Sequence, residues 1–455
     1  MLKLPASRPS IRARVDELTR GRALDRSKAL VRWGITQAIP RTVFRTAARR
    51  GDLQGRLIGT ALQGHTFDLV PLFEELWAAG PVHKGGFSYL TGRHEVVHEV
   101  LSGNDFRTGI PSAVNPVMQR LVDWSSLDVF SPVTPPSLLV SEPPDHTRYR
   151  KLVTRVFTVR AVEQLRTRTE EIAAELLDRL AAQAPGPVDL VASYCGLLPV
   201  TVISEILGVL PEDRELVLEL GAGAAASLDL GLSWRQFQSV EASLVQFQEW
   251  LRGHLAYVRA NPGDNLLSQL VRATEDGVGL SEAELGATAG LVLAAGFETT
   301  VNLLSNGIAL LADHPDQLDL VRSEPERWAN AVEEVLRIDP PVLLTGRVVA
   351  RDTELRGVRL PQSSVVTVVL AAANRDPDVF ENPHTFDVTR ANAREHMSFS
   401  SGRHYCLGAA LARMEGEVGL RMLFERFPDL KLRPGAVRRP TRILRGYETL
   451  PATLG

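Results

Sequence analysis

Only two of the 455 residues are cysteines, Cys195 and Cys406, so a disulfide framework and any zinc site of the Cys-x-x-Cys type are excluded. That scarcity fits a reducing, cytoplasmic setting. The interior has no Gly/Ser or Pro tract, no low-complexity run and no repeat of fixed period, so nothing marks a linker or a repeat array. A Rossmann glycine fingerprint is also missing. Charge of one sign does not dominate: the formal net charge is -3, and beyond residue 50 the chain is mildly acidic. This argues against nucleic acid as the main partner.

What remains is ordinary globular composition, 44% hydrophobic and 23% charged. One segment stands apart. The first 50 residues hold 13 Lys or Arg against three acidic residues, Asp16, Glu17 and Asp25. This arm lacks both the apolar core of a secretory signal and a run near the roughly 18 residues that span a bilayer. No transmembrane segment is expected there. A solvated, partly ordered extension is the plain expectation, and peripheral contact with anionic lipid or an acidic partner is the alternative.

Apolar residues recur at helical spacing over 161–182, 244–258 and 409–427. The clearest helix is 281–313, opened by a Ser281/Glu284 capping box and closed before Pro315. At about 1.5 Å per residue it runs roughly 50 Å, and its middle, 289–295, is apolar on every side, so it is expected to cross the interior. Strands are expected at 346–351, 355–360 and 365–370. Seven prolines between 111 and 144 mark that segment as largely loop. The expected class is mainly α with a small β region: one large domain, 56–455, behind a basic arm, 1–55.

Phe399-Ser-Ser-Gly-Arg-His-Tyr-Cys-Leu-Gly408 precedes a strongly helical run. Cys406 therefore sits just ahead of a helix N-terminus, where free N–H groups and the helix dipole stabilise a thiolate. Gly402 and Gly408 permit tight turns. A buried structural cysteine is the bland alternative, and Cys195 is read that way. The spacing Phe-x-x-Gly-x-x-x-Cys-x-Gly resembles the haem-binding loop of the cytochrome P450 family. Ser400 and Ser401 stand where many relatives have glycine.

Three further segments support the resemblance, which covers roughly residues 60–455. Ala295-Gly-Phe-Glu-Thr-Thr300 is similar to the family's oxygen-activating segment. A Thr299 hydroxyl bonding back to Ala295 bends a helix, and a Glu298 inside an apolar helix is costly without a purpose. The resemblance makes Glu298 and Thr299 an acid–alcohol proton relay. Glu334-Val-Leu-Arg337 places a Glu and an Arg on one helix face. With Arg390 it resembles the family's buried Glu-Arg-Arg cluster, which supports the cysteine loop. Asp145-His-Thr-Arg-Tyr-Arg150 puts His146 and Arg150 on one helical face. With Arg347 and His404 these match positions that bind haem propionates.

The resemblance implies a cytochrome P450 fold, with haem b (iron protoporphyrin IX) ligated by Cys406 and cradled by Phe399, Gly402 and Gly408. It implies insertion of one oxygen atom of O2 into an apolar or amphipathic substrate. Electrons come from a separate ferredoxin and ferredoxin reductase. Arg148, Lys151, Arg403 and Arg413 are the expected docking contacts. The expected pocket combines Phe130, Leu138, Ala294, Ala295, Val342, Leu343 and Leu344 with the 446–450 stretch, including Tyr447 and Thr449. Steroid, terpene, fatty acid and polyketide all remain open as substrates. A peroxygenase usually lacks the acid–alcohol pair, and a haem-based sensor leaves that pair without a purpose.

Overall fold

Ser281 starts the longest helix, Glu282–Asp313, by a reciprocal cap: its hydroxyl accepts from the Glu284 amide, and the Glu284 carboxylate accepts from the Ser281 amide. The computed structural model describes residues 26–60, 68–109, 116–127, 129–154, 157–275 and 278–455. Residues 1–25 of the basic arm and Pro111 lie outside the described residues. The long helix crosses the core as expected, with Leu293, Phe297, Val301, Leu304 and Ile308 all buried. By length and composition it is apolar enough to cross a membrane, but most of its apolar window is enclosed by protein.

Four helices pack along this central one: Leu197–Ile206, Arg214–Ala225, Trp234–Ala260 and Ala409–Arg426. Trp234–Ala260 contains the helix expected at 244–258 and starts ten residues earlier, on a second capping box made by Ser233 and Gln236. The helix expected at 161–182 is two helices, Val159–Gln164 and Arg166–Ala181, which meet at Leu165. The proline-rich segment is mostly loop but contains the helix Pro116–Ser125. The described half of the basic arm is helical, Arg26–Trp33 and Ile39–Arg49, and it is docked on the body. The molecule is a single, mainly helical domain with a small β region.

The main sheet has five strands in the order His83–Lys84, Tyr89–Thr91, Val365–Val368, Thr345–Val349 and Phe106–Arg107. Val365–Val368 pairs antiparallel with Thr345–Val349 and parallel with Tyr89–Thr91. The strand expected over 355–360 is instead a tight hairpin of Thr353–Leu355 and Val358–Leu360. Arg356 (φ 51°) and Gly357 (φ 81°) form its turn, and two consecutive left-handed residues cannot continue a strand.

Glu334 and Arg337, on the helix Trp328–Ile338, are fully buried and form a two-pronged ion pair at 2.7 and 2.8 Å. Arg390 reaches the same carboxylate at 3.2 Å, and the Asp387 amide donates to it at 3.0 Å. Both guanidiniums then spend their remaining N–H groups on carbonyls of the irregular 374–385 chain: Arg337 on Asn374, Pro383 and Thr385, Arg390 on Glu381, Asn382 and Thr385. Asn374 passes the restraint on, accepting from the Met397 amide and donating to Ser398 Oγ, at the start of the cysteine loop. Glu334→Ala leaves two buried guanidiniums without their carboxylate, and the expected loss is about 3–5 kcal/mol of stability. Denaturant unfolding of the two proteins measures it; a loss under about 1 kcal/mol contradicts this role.

Candidate active site

Three elements converge around Cys406. The first is its own loop. The Cys406 amide donates to Phe399 O at 2.9 Å, closing the loop just before the Ala409–Arg426 helix. Gly402 adopts φ 65°, and a Cβ there would stand 2.7 Å from Ser102 Cα and 2.8 Å from Leu101 O, so the loop seats on the His94–Ser102 helix only as glycine. Ser400 holds a left-handed φ of 62° that glycine takes without strain, at a cost of about 1–2 kcal/mol for an L-residue. Arg413 stacks its guanidinium 4.4 Å from the Phe399 ring and bonds Glu333 at 2.8 Å. Burial pushes the Cys406 thiol up, while the Gly408 amide, Arg150 and Arg413 oppose that and favour the thiolate. Protein surrounds the sulfur, yet the Cys406 side chain keeps exposed surface. It therefore lines an internal space.

The second element is one face of the central helix. Val292, Ala295, Gly296 and Thr299, at spacings of three and four, stay partly or fully exposed although the flanking Leu293, Ala294, Phe297 and Glu298 are buried. Thr299 Oγ1 donates to the Ala295 carbonyl at 2.9 Å, the expected back-bond, and the helix continues unbroken through it. Glu298 points elsewhere: its carboxylate is buried and takes Arg439 at 2.7 Å. Burial raises its pKa and Arg439 counters the rise. Among the described residues Glu298 and Thr299 share no hydrogen bond, their partners being Arg439 and the Ala295 carbonyl.

The third element is cationic. The His146 and His404 rings lie 4.4 Å apart, and His146 Nε2 is buried with no partner. Arg347 is 5% exposed and donates only to Gly346 O at 2.9 Å and Thr345 Oγ1 at 3.5 Å. Arg150 donates to Tyr405 O at 2.7 Å. Among the described residues the one carboxylate in the group is Glu142, which accepts from Arg403 (2.9 Å) and the Thr108 amide (2.7 Å) and lies 3.7 Å from His404. Burial depresses His146; it lowers His404 to about 4, helped by His146 and Arg347; and it lowers Arg347 to about 10. Five cationic or donor side chains thus face one carboxylate. That donor set, with an orphaned buried imidazole nitrogen, fits a flat group bearing two carboxylates.

The other expected residues divide. Phe130 lies against the central helix: a Cβ on Gly290 would meet its ring at 3.0 Å. Leu138 is buried, and Ala294 sits in an apolar cluster with Phe237 and Leu244. Val342 pairs with Leu444, flanked by hydrogen bonds from Leu343 N to Ile443 O and from Arg445 N to Pro341 O, so the chain beside it is 443–445. Leu343 and Leu344 are core residues, packed with Leu53, Leu72 and Trp77. Tyr447 is buried in the main core under the Arg438 guanidinium (3.9 Å), and Thr449 pairs with Val437 in a hairpin. Gly446 abuts Asn302, where a Cβ would come within 1.9 Å of Oδ1. Leu343, Leu344, Tyr447 and Thr449 thus take part in packing and pairing, and Leu138 and Ala294 are as buried as Leu343. Of the expected docking cations, Arg148 pairs with Glu284, Arg403 with Glu142 and Arg413 with Glu333, and each guanidinium stays partly exposed. Cys195 is fully buried, and burial pushes its thiol up, as suits a packing residue. Sequence reasoning missed Glu142, Thr108 and Arg439. Only Glu142 left a local signal, four residues ahead of His146.

A helical domain with a cysteine loop, a back-bonded threonine and a cationic shelf defines a haem-thiolate oxidoreductase. A family model described as Cytochrome P450 matches residues 233–444. Cytochrome P450 140 of Mycobacterium tuberculosis is 51% identical over 432 residues, 94% of this chain and 98% of that protein. The 6-deoxyerythronolide B hydroxylase of Saccharopolyspora erythraea is 44% identical over 69% of this chain and 77% of its own. A ligand-free cytochrome P450 from Mycobacterium smegmatis superposes with a TM-score of 0.77 at 30% identity, covering 88% of this chain and 99% of that one. The chain belongs to the cytochrome P450 family and is a cytochrome P450 monooxygenase. Replacing Arg347 by Leu removes a buried charge-assisted donor worth about 1.5–3 kcal/mol, so haem affinity should fall on the order of 10- to 100-fold. Haem transfer to an apo-globin acceptor reads this out; unchanged transfer would remove Arg347 from the haem site.

Proposed function

We propose that the protein hydroxylates or epoxidises an apolar or amphipathic organic molecule with O2, using haem b held on Cys406 and electrons from a ferredoxin and its reductase. The observation that carries this reading is the partly open Val292–Ala295–Gly296–Thr299 face in the mostly buried middle of the central helix. Cys406, Thr299 and Glu298 are the central residues; His146, Arg150, Arg347 and His404 hold the propionates. Bound there, the haem iron supplies dioxygen binding and oxidising power, which a thiolate ligand favours by donating electron density.

The chain's own residues do the rest. Burial disfavours the Cys406 thiolate, and the Gly408 amide, Arg150 and Arg413 favour it. Thr299 releases the Ala295 carbonyl to offer its hydroxyl proton into the internal space. Glu298 resupplies that proton once it leaves Arg439, and burial favours its protonated form. Phe130, Leu138, Ala294 and Ala295 give apolar walls, with Val342 nearby. Two cysteines without a disulfide fit a cytoplasmic setting. A macrolactone of the 6-deoxyerythronolide type is the first substrate class to test, on the strength of the hydroxylase relative.

Thr299→Ala should keep substrate binding and oxygen consumption but divert most reducing equivalents to peroxide. The ratio of product to NADPH consumed should drop by at least about tenfold, in the direction of the roughly 10²–10⁴-fold that positioned proton transfer ordinarily supplies. The assay pairs the enzyme with a surrogate ferredoxin and reductase. Unaltered coupling, or product from peroxide alone at the same rate, contradicts the dioxygen reading.

A further inference from the structure

Residues 26–50 contain seven Lys or Arg and no Asp or Glu. They form the helices Arg26–Trp33 and Ile39–Arg49, with a single wider turn between them, and together make a strap across one end of the molecule. The strap is fixed at defined points. The Trp33 indole donates to Leu232 O at 3.0 Å and its ring meets Trp234 edge-on at 5.6 Å. Gln37 accepts from the Leu232 amide, and Arg41 donates to Gly231 O at 3.1 Å. Arg32 pairs with Glu241 and also reaches Ser125 O, so the strap spans from the Trp234–Ala260 helix to the Pro116–Ser125 helix.

What this anchoring leaves outside is both apolar and cationic. Ile39 (53% exposed) and Val43 (42%) lie one turn apart on the strap, and Leu30 is exposed on the preceding helix. Leu121 and Trp124 (48% exposed) continue the apolar surface on Pro116–Ser125, where Lys28 stands 5.5 Å over the Trp124 ring. Arg45 and Arg49 are exposed, and neither has a carboxylate partner among the described residues. With Arg41, Phe44 and Arg442 they line an open cavity of about 390 Å³ that shares no residue with the Cys406 site.

We propose that this strap, with the Pro116–Ser125 helix, docks the enzyme on an anionic lipid surface. Exposed Ile, Val, Leu and Trp gain by entering the acyl boundary, while arginines beside them meet lipid phosphates. An acidic protein would satisfy the arginines but leave these side chains without an apolar counterpart, so the combination favours lipid. Trp33 belongs to the same apolar cluster as Ala294. Docking therefore brings the roof over the central helix to the membrane, where an apolar substrate concentrates. That consequence rests on the pocket reading above; the docking itself does not.

The experiment sediments the full-chain holoenzyme with vesicles of phosphatidylcholine alone and of phosphatidylcholine mixed with phosphatidylglycerol. Binding should require phosphatidylglycerol and weaken sharply between ~0.1 M and ~1 M salt, as the screening length falls from about 10 to about 3 Å. The double change Arg45→Gln/Arg49→Gln should lower partitioning on the order of 30-fold. Ile39→Ser/Val43→Ser should lower it too, although charge is unchanged. Both variants should keep the reduced carbon monoxide spectrum of the parent, which shows that the fold and haem site survive. Equal sedimentation with both vesicle types, none with either, or binding to poly-glutamate without binding to vesicles overturns the proposal. So does wild-type partitioning of either variant.

Discussion

The buried Glu334 carboxylate is the interaction on which the rest depends. It neutralises two guanidiniums far from water, and each guanidinium can then donate to several main-chain carbonyls without an uncompensated charge. Those carbonyls belong to an irregular stretch, 374–385, that has no ladder of its own to satisfy them. Asn374 links that stretch to Met397 and Ser398, and Ser398 Oγ returns to Leu336 O on the helix that bears Glu334. The circuit is closed. A loop with a left-handed serine and a left-handed glycine is thereby held in one conformation, with Cys406 at its end.

The electrostatics of the site follow a similar logic of imbalance. Glu334 has its counter-charges in the protein, whereas among the described residues the shelf of His146, Arg150, Arg347, Arg403 and His404 has only the Glu142 carboxylate. Burial without enough negative charge depresses His404 and Arg347, so both are set to gain from two carboxylates. The thiol of Cys406 shows the converse. Burial alone would keep it protonated, and the amide and arginines around it are directed against that.

Local patterns were legible in the sequence, and distant pairings were not. The capping box at Ser281, the Thr299–Ala295 back-bond and the Glu334–Arg337 pair each involve residues within four positions, so spacing alone predicts them. Arg390 came only through family resemblance. Arg439 is 141 positions from Glu298, and nothing in either segment signals the other. The hairpin at 353–360 was hidden because Arg-Gly is a weak turn signal beside Asn-Gly. Apolar residues near a pocket and apolar residues in a core look alike in sequence, and burial does not divide them: Leu138 and Ala294 are as buried as Leu343 and Tyr447. The arm, expected as a solvated and partly ordered extension, is ordered over residues 26–49 as two helices fastened by Trp33 and Arg32, whose partners lie 199 positions on at Leu232 and on the helix beyond it at Glu241.

The central claim is that Cys406 is the thiolate ligand of a haem. It is tested most directly by the optical spectrum of the reduced carbon monoxide complex of the parent protein and of Cys406→Ser. Thiolate ligation predicts a strongly red-shifted Soret band in the parent and its loss in the serine protein, where no thiolate can donate to the iron. A red-shifted band that survives in Cys406→Ser would contradict the claim.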